Sequence, residues 1–149
     1  MSALLDRFAR AAGRAVIDER GEHAYDELRA RAASVAAYLG DRRGKRVALL
    51  ASPGAELVSA LFGIFSSGAC ALVLSPLHPA AETAYFAGDA DVDLVLVTAD
   101  QHDRARAAGK PVADLASIPA ATRPDVAVDG ITRDGQTVPI LREDVWQLT

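Results

Sequence analysis

The chain alternates short, uninterrupted apolar runs with longer segments in which apolar residues recur every three or four positions. The segment 26–39 carries Leu28, Ala32, Val35 and Leu39 at helical spacing, and Gly40 follows as a stop signal. Apolar runs typical of buried strands lie at 47–50, 70–74 and 94–98. The remaining pattern predicts helices at 2–12, 55–65, 80–87 and 100–108, a strand at 15–18 and a polar turn at 19–22.

Strands that alternate with helices predict an α/β fold. Parallel neighbours need a crossover connection, and the crossovers supply helices that cover both faces of the sheet. This regular alternation spans residues 1–109. Prolines and glycines divide 110–149 into short pieces, with a hairpin predicted through Asp134 and Gly135. We therefore expect one α/β region over 1–149, built on a parallel sheet and ending in a loop-rich part.

The segment 57–81 contains no charged residue and is long enough to span a bilayer. Ser66, Ser67 and Gly68 interrupt it, the strand pattern at 70–74 follows, and prolines come after the strand. This punctuation favours a buried helix–strand unit over a membrane helix. Cys70 lies in the apolar run, where we expect a buried, unreactive thiol.

Charge and cysteine content narrow the partners and the compartment. The 16 basic and 20 acidic residues give a formal net charge of −4, which disfavours nucleic acid as a partner. Half of the residues are hydrophobic, as in a globular chain. A single cysteine forms no internal disulfide, and the first fourteen residues lack the apolar core of a signal peptide. The cytoplasm is the predicted compartment.

Local motifs offer little chemistry. The segment 40–45, G-D-R-R-G-K, has three residues between its glycines and an arginine after the lysine, so we interpret it as a helix cap and charged turn rather than a phosphate loop. His23, His78 and His102 stand far apart, and we expect solvated or capping roles for them. Asp89, Asp91 and Asp93 alternate before a strand, where a solvated turn is favoured over a magnesium site. No catalytic residue and no metal ligand is predicted.

Several longer stretches resemble the amino-terminal part of the adenylate-forming (acyl- and aryl-CoA synthetase, AMP-binding) superfamily. Residues 24–28, A-Y-D-E-L, resemble its T-Y-x-E-L element. Residues 61–76, L-F-G-I-F-S-S-G-A-C-A-L-V-L-S-P, are similar to L-x-G-I-L-K-A-G-A-A-Y-V-P-L-D-P, and H-P-A-A-E at 78–82 resembles Y-P-A-E-R. Departures from the pattern are Ala24 for threonine, Ser66 for lysine, Val73 for proline and Ser75 for an acidic or amide residue.

The resemblance implies a reaction and a location within the enzyme. In the superfamily, a carboxylate attacks the α-phosphate of ATP, and a thiol of CoA or a carrier protein then takes the acyl group from the adenylate. ATP and Mg²⁺ are thus implied for a complete enzyme, with a T-S-G-T-T-G-x-P-K-G loop binding the phosphates. Thr149 looks like the first position of that loop, and it is the one cofactor-binding residue that the resemblance suggests. The residues that select the acyl group and the thiol acceptor would come later.

We therefore expect this chain to be the amino-terminal portion of a carboxylate-activating ligase. The portion alone is expected to bind no cofactor and to be inactive. Two alternatives stay open: a stand-alone interaction or regulatory module, and one half of a split ligase. A receiver or flavodoxin-like domain is a simpler interpretation of the same α/β pattern. A sheet that continues in a larger domain leaves an unpaired edge, so a complementing carboxy-terminal polypeptide or self-association is expected. Neither nucleic acid nor a membrane is an expected partner.

Overall fold

The structure is a computed structural model that describes residues 3–120, 130–133 and 136–139. The helices in these ranges are α1 (Ala3–Arg10), α2 (Tyr25–Leu39), α3 (Ala55–Ser66), α4 (Ala80–Asp89) and α5 (His102–Ala105). The strands are β1 (Arg14–Asp18), β2 (Gly21–Ala24), β3 (Arg46–Leu50), β4 (Cys70–Leu74), β5 (Leu94–Val97), β6 (Val112–Asp114), β7 (Gly130–Arg133) and β8 (Gln136–Pro139).

Four of the strands form a parallel sheet in the order β4, β3, β5, β6. Ala48 in β3 pairs with Leu72 of β4 on one side and with Val95 of β5 on the other. The chain leaves β3 through α3 towards β4, whereas it leaves β5 towards β6 at the opposite edge. The strand order therefore reverses between β3 and β5, which is the topological switch point of a doubly wound sheet. The predicted α/β fold is confirmed.

The sheet buries side chains on both faces, as the uninterrupted apolar runs predict. Val47 and Leu49 of β3 belong to the core that includes residues of α1, α2 and α3. Ala48 and Leu50 point the other way and join the core of α4 and α5. All four side chains are fully buried, and burial of a leucine contributes about 1.5–3 kcal/mol relative to exposure.

Helices α2 and α3 pack against each other in this layer. A Cβ atom placed on Gly63 of α3 would lie 2.5 Å from Cβ of Val35 and 2.9 Å from the carbonyl oxygen of Ala32. Both are α2 residues. The absent side chain at Gly63 thus lets the two backbones approach one another.

The charge-free segment 57–81 is divided among α3, β4 and the start of α4, as its serines, glycine and prolines predict. Within the described part of the chain, no helix is long and apolar enough to cross a membrane. Cys70 is buried, as expected.

The structure also departs from the predicted elements. The polar turn expected at 19–22 is shorter, because Gly21 pairs with Asp18 and begins β2 of an antiparallel hairpin. The helix expected at 100–108 is broken into α5 flanked by single 3-10 turns. Strand β6 was not predicted, since its three residues follow Pro111 and form a strand only by pairing with β5.

The loop-rich part contains the predicted hairpin. β7 and β8 pair antiparallel, with Arg133 opposite Gln136, so the hairpin brackets Asp134 and Gly135. Asp134 and Gly135 themselves lie outside the described ranges. The division of the chain into residues 1–109 and 110–149 stays a prediction.

Candidate functional site

A crevice of about 390 Å³ lies where β3 and β5 end, at the topological switch point. Open α/β sheets bind ligands at such points, because two loops diverge there and leave space at the carboxyl edge. The loop at 52–54 after β3, the residues that follow β5 and the β1–β2 turn supply most of its lining. This crevice is therefore the candidate functional site.

The two strand ends are joined by polar side chains inside the crevice. The backbone N–H of Ser52 donates to Oγ1 of Thr98 at 3.0 Å, and Thr98 is buried. The Ser52 hydroxyl donates to the Asp100 carboxylate, and Gln101 Nε2 donates to the same carboxylate at 3.1 Å. The Ser52 hydrogen bond, followed by that of Thr98, lowers the pKa of Asp100 below its usual value. Asp100 is thus held ionised by its neighbours.

Asp18, at the end of β1, caps the amino terminus of α3. Its Oδ2 accepts the backbone N–H of Ala55 at 2.9 Å, and its Oδ1 accepts the N–H of Arg20 at 2.9 Å. A Cβ on Gly54 would lie 2.9 Å from the same Oδ2, and Gly54 has a φ of 154°. A glycine at this position therefore lets the carboxylate approach the helix terminus.

His23 lies under this cap, with only 6% of the residue exposed. Its Nε2 is 2.8 Å from Oδ1 of Asp18, and its Nδ1 is 2.9 Å from Oε2 of Glu27. The hydrogen bond to Asp18, then that to Glu27, raises the pKa of His23 above its usual 6.5. The Ala55 N–H, followed by His23, lowers the pKa of Asp18 to about 2. The prediction of a solvated or capping His23 is therefore wrong, because two carboxylates compensate the burial of its ring.

The charges of the crevice do not suit a triphosphate. Four carboxylates line it but only two guanidinium groups, those of Arg20 and Arg31. Arg20 pairs with Glu56 at 3.0 Å, and Arg31 pairs with Glu27 at 2.9 Å. The α3 terminus, which could have bound an anion, already binds Asp18. The triphosphate of ATP therefore does not fit the crevice as the described residues form it, and the carboxylates of the crevice do not form a group of three potential metal ligands.

The remaining candidate residues lie elsewhere. Thr149 lies outside the described residues, and its proposed place in a phosphate loop stays a prediction. His102 begins α5 and its Nδ1 is 2.8 Å from Oδ1 of Asp114, while the His78 ring lies 5.2 Å from that of Phe86. Asp91 occupies an exposed turn, 3.5 Å from Lys110 Nζ. Over the ranges that could be searched, no group of three potential metal ligands occurs.

Ser52, Thr98 and Asp100 were missed at the level of sequence, although a signal for them exists. Ser52 and Asp100 each come two residues after an apolar run predicted as a parallel strand, and Thr98 is the last residue of such a run. Polar residues in those positions gather at one edge of the sheet. His23 also had a signal, since Asp18 precedes it by five residues and Glu27 follows it by four.

The reversed strand order, the helices on both faces and the crevice at the switch point define a doubly wound α/β protein. The family model described as AMP-binding enzyme matches residues 6–141, and the chain belongs to this family. The resemblance to adenylate-forming enzymes is thereby confirmed. Neighbours among solved structures include a nonribosomal peptide synthetase, with which this chain shares the α/β fold.

The relatives are much longer than this chain. Mitochondrial malonate–CoA ligase ACSF3 of Bos taurus is 28% identical over 141 residues, which cover 89% of this chain and 23% of the relative. Malonate–CoA ligase of Arabidopsis thaliana is 34% identical over 64 residues, covering 43% of this chain and 10% of the relative. The nonribosomal peptide synthetase FmoA3 superposes with a TM-score of 0.75 at 25% identity, and the match covers 93% of this chain and 15% of the synthetase chain. Because the bovine relative is named as mitochondrial, the cytoplasmic location of this chain stays a prediction.

Proposed function

We propose that this chain is the amino-terminal scaffold of an ATP-dependent ligase that activates a carboxylate as its acyl-adenylate and passes the acyl group to a thiol. The observation that carries the proposal is the family match across residues 6–141, combined with a span of 23% of the bovine relative. Within the scaffold, the Asp18 cap and the Ser52–Asp100 bond fix the two loops at the switch point.

The proposal includes inactivity of the chain by itself. The crevice supplies more carboxylates than guanidinium groups, and the arginines are already paired. Stabilising a transferring phosphoryl group requires preorganised cationic or N–H donors. We therefore assign ATP and Mg²⁺ to contacts made by other parts of a complete ligase. The names of two relatives make malonate the first carboxylate to test.

A partner for the sheet edge forms part of the same proposal. Among the described strands, β4 is the last of its sheet on one side, and it carries no charged residue. Apolar side chains are exposed on and beyond it: Val73, Leu77 and Tyr85 are 38%, 91% and 65% exposed. The opposite edge, β6, is short and carries Asp114. Uncharged edges are templates for pairing. We assign the β4 edge to further polypeptide of the same ligase, and the chain alone is expected to self-associate there.

Carboxylate-dependent ATP–pyrophosphate exchange tests the function. The chain alone, a polypeptide carrying the remainder of the domain alone, and a mixture of the two are each assayed with malonate and a panel of other acids. Exchange is expected in the mixture and in neither single sample. Exchange by the chain alone would overturn the proposed inactivity. A mixture that forms a complex but remains inactive with every acid would instead favour an interaction module.

A cheaper measurement is the coding DNA immediately downstream. An in-frame or near-frame continuation that encodes S-G-T-T-G-x-P-K-G supports the ligase. Unrelated sequence there counts against it.

A further inference from the structure

One buried histidine connects three elements beside the crevice. His23 belongs to β2, Asp18 to β1 and Glu27 to the first turn of α2. Through Asp18, the same hydrogen-bonded chain reaches the first backbone N–H of α3. We propose that His23 is a proton-operated clamp: its charged form holds the β1–β2 hairpin against the starts of α2 and α3, and loss of its proton opens the contact with α2.

The number of available protons supports this assignment. Imidazolium carries N–H donors at both Nδ1 and Nε2, and here each nitrogen faces a carboxylate oxygen, at 2.9 and 2.8 Å. Neutral imidazole keeps one N–H and presents a lone pair at its other nitrogen. Carboxylate oxygens only accept, so the lone pair would face another acceptor at one of these short distances. The arrangement is complete only when His23 is charged.

The other charged groups at the junction are already committed. The second oxygen of Glu27 accepts Nη2 of Arg31 at 2.9 Å. The Arg20 guanidinium binds Glu56 of α3, and Arg14 pairs with Glu22 on the exposed side of the hairpin. Each of these cations pairs with a carboxylate oxygen other than the two that His23 contacts. The charged imidazole ring of His23, with an N–H on each side, therefore bridges the carboxylates of Asp18 and Glu27.

The two contacts of His23 are unequal. The Asp18 side chain is 16% exposed and also holds two backbone N–H groups, whereas the Glu27 side chain is 40% exposed and is otherwise held by Arg31. Asp18 is therefore the harder carboxylate to displace. When His23 becomes neutral, its remaining proton is expected on Nε2, facing Asp18. The Nδ1–Glu27 contact then opens.

The direction with pH follows from the raised pKa of His23. The stabilisation that charged His23 provides is fully present below pH 6.5, the ordinary value, and is lost as the pH rises through the raised value. For each pH unit by which the pKa of His23 exceeds 6.5, the equilibrium constant for opening changes by about tenfold. A suitable reporter is the amide of Tyr25, which donates to the carbonyl of Gly13 at 2.9 Å at the corner between β2 and α2.

The test uses the 149-residue chain and ¹⁵N spectroscopy of its imidazoles together with hydrogen exchange, corrected for the intrinsic pH dependence of exchange. We expect His23 to titrate above 6.5, the neutral form to carry its proton on Nε2, and protection of the Tyr25 amide to fall through that titration. Titration at or below 6.5, a neutral form protonated on Nδ1, or protection that does not follow the titration would each overturn the proposal.

Variants separate a clamp from a merely structural contact. Glu27→Gln removes one carboxylate at the helix surface, so both the His23 titration and the change in Tyr25 protection should move together to lower pH. His23→Gln keeps one donor for Asp18 and should abolish the pH dependence. His102→Gln, the matched control at another histidine–carboxylate pair, should leave Tyr25 exchange unchanged. Failure of Glu27→Gln to move the titration contradicts the clamp and leaves the ligase assignment unaffected.

Discussion

The carboxylate of Asp18 accepts the backbone N–H of Ala55 at 2.9 Å, across 37 positions of sequence. Helix α3 thus begins at a cap supplied by a hairpin that precedes α2. The bond satisfies one of the N–H groups that a helix terminus leaves without a partner. It also fixes the hairpin relative to the switch-point loop.

Replacement of Asp18 by alanine should lower thermal stability. It removes the α3 cap and leaves His23 with one carboxylate. Loss of a helix cap in a chain of this size corresponds to a fall in Tm of roughly 2–8 °C. Circular dichroism melting measures this directly. Glu19→Ala, in the exposed turn next to Asp18, is the control and should leave Tm nearly unchanged.

The stability of the protein should fall steeply in acid because of Asp18. Its pKa is lowered from 3.8 to about 2, chiefly by the Ala55 N–H and then by His23. A lowered pKa in the folded state contributes stability above the unfolded value, and that contribution is lost as the pH falls towards about 2. Urea unfolding between pH 5 and 2 should show this loss. An Asp18→Asn variant with an equally steep acid slope would exclude Asp18 as its cause.

Alanine at Gly63 should destabilise the contact between α2 and α3. The added Cβ would meet Val35 at 2.5 Å, and overpacking of this kind costs about 1–3 kcal/mol. The urea midpoint measures the change. Gly88→Ala in α4 is a matched control with nothing within 4 Å of the new Cβ, and it should stabilise the protein by about 0.5–1 kcal/mol. Equal effects of the two substitutions would contradict the close approach.

Valine at Thr98 should weaken the link between the ends of β3 and β5. Valine has a similar shape but cannot accept the Ser52 N–H, which Thr98 Oγ1 accepts at 3.0 Å. An N–H left without a partner costs about 1 kcal/mol here, since Ser52 is half-buried and water can reach it in part. Thr98→Ser retains the oxygen and should recover most of the loss in urea unfolding. Full stability of Thr98→Val would show that the bond is dispensable.

Self-association through β4 should respond to a charge on its exposed face. Val73→Lys places a cation on the uncharged edge strand β4. Natural proteins use lysine on edge strands to prevent pairing with another chain. Light scattering is expected to show oligomers of the original chain and a shift to monomer in the variant. A monomeric original chain, or an oligomer that Val73→Lys leaves intact, would contradict the role of this edge.

The sequence predicted the parallel strands because the apolar residues of β3 and β5 are buried on both faces, as are those of β4 except Val73, so all three strands are uninterrupted apolar runs. It could not predict β2 or β6 in the same way. β2 contains Gly21 and a polar pair, and β6 has only three residues, so pairing with a neighbour decides each conformation. The local sequence pattern does not encode these tertiary contacts, and they determine that β2 and β6 are strands.

The candidate site shows the same limit. Two predicted parallel strands suffice to predict that Ser52 and Thr98 lie at the same edge of the sheet. Their hydrogen bond, however, requires that β3 and β5 are neighbours. Sequence order places β4 between those strands, and the order reversal is a property of the fold. The burial of His23 likewise depends on the β1–β2 hairpin, for which the sequence pattern predicted only a polar turn at 19–22.

The central claim is that this chain supplies scaffold while the phosphate contacts of the ligase lie elsewhere. Isothermal titration of the 149-residue chain with Mg·ATP tests it most directly, up to about 1 mM, the upper end of common enzyme–substrate affinities. The predicted result is no saturable heat, because the crevice carries an excess of carboxylates and Asp18 occupies its helix terminus. A saturable one-site isotherm that pyrophosphate or AMP displaces would contradict the claim.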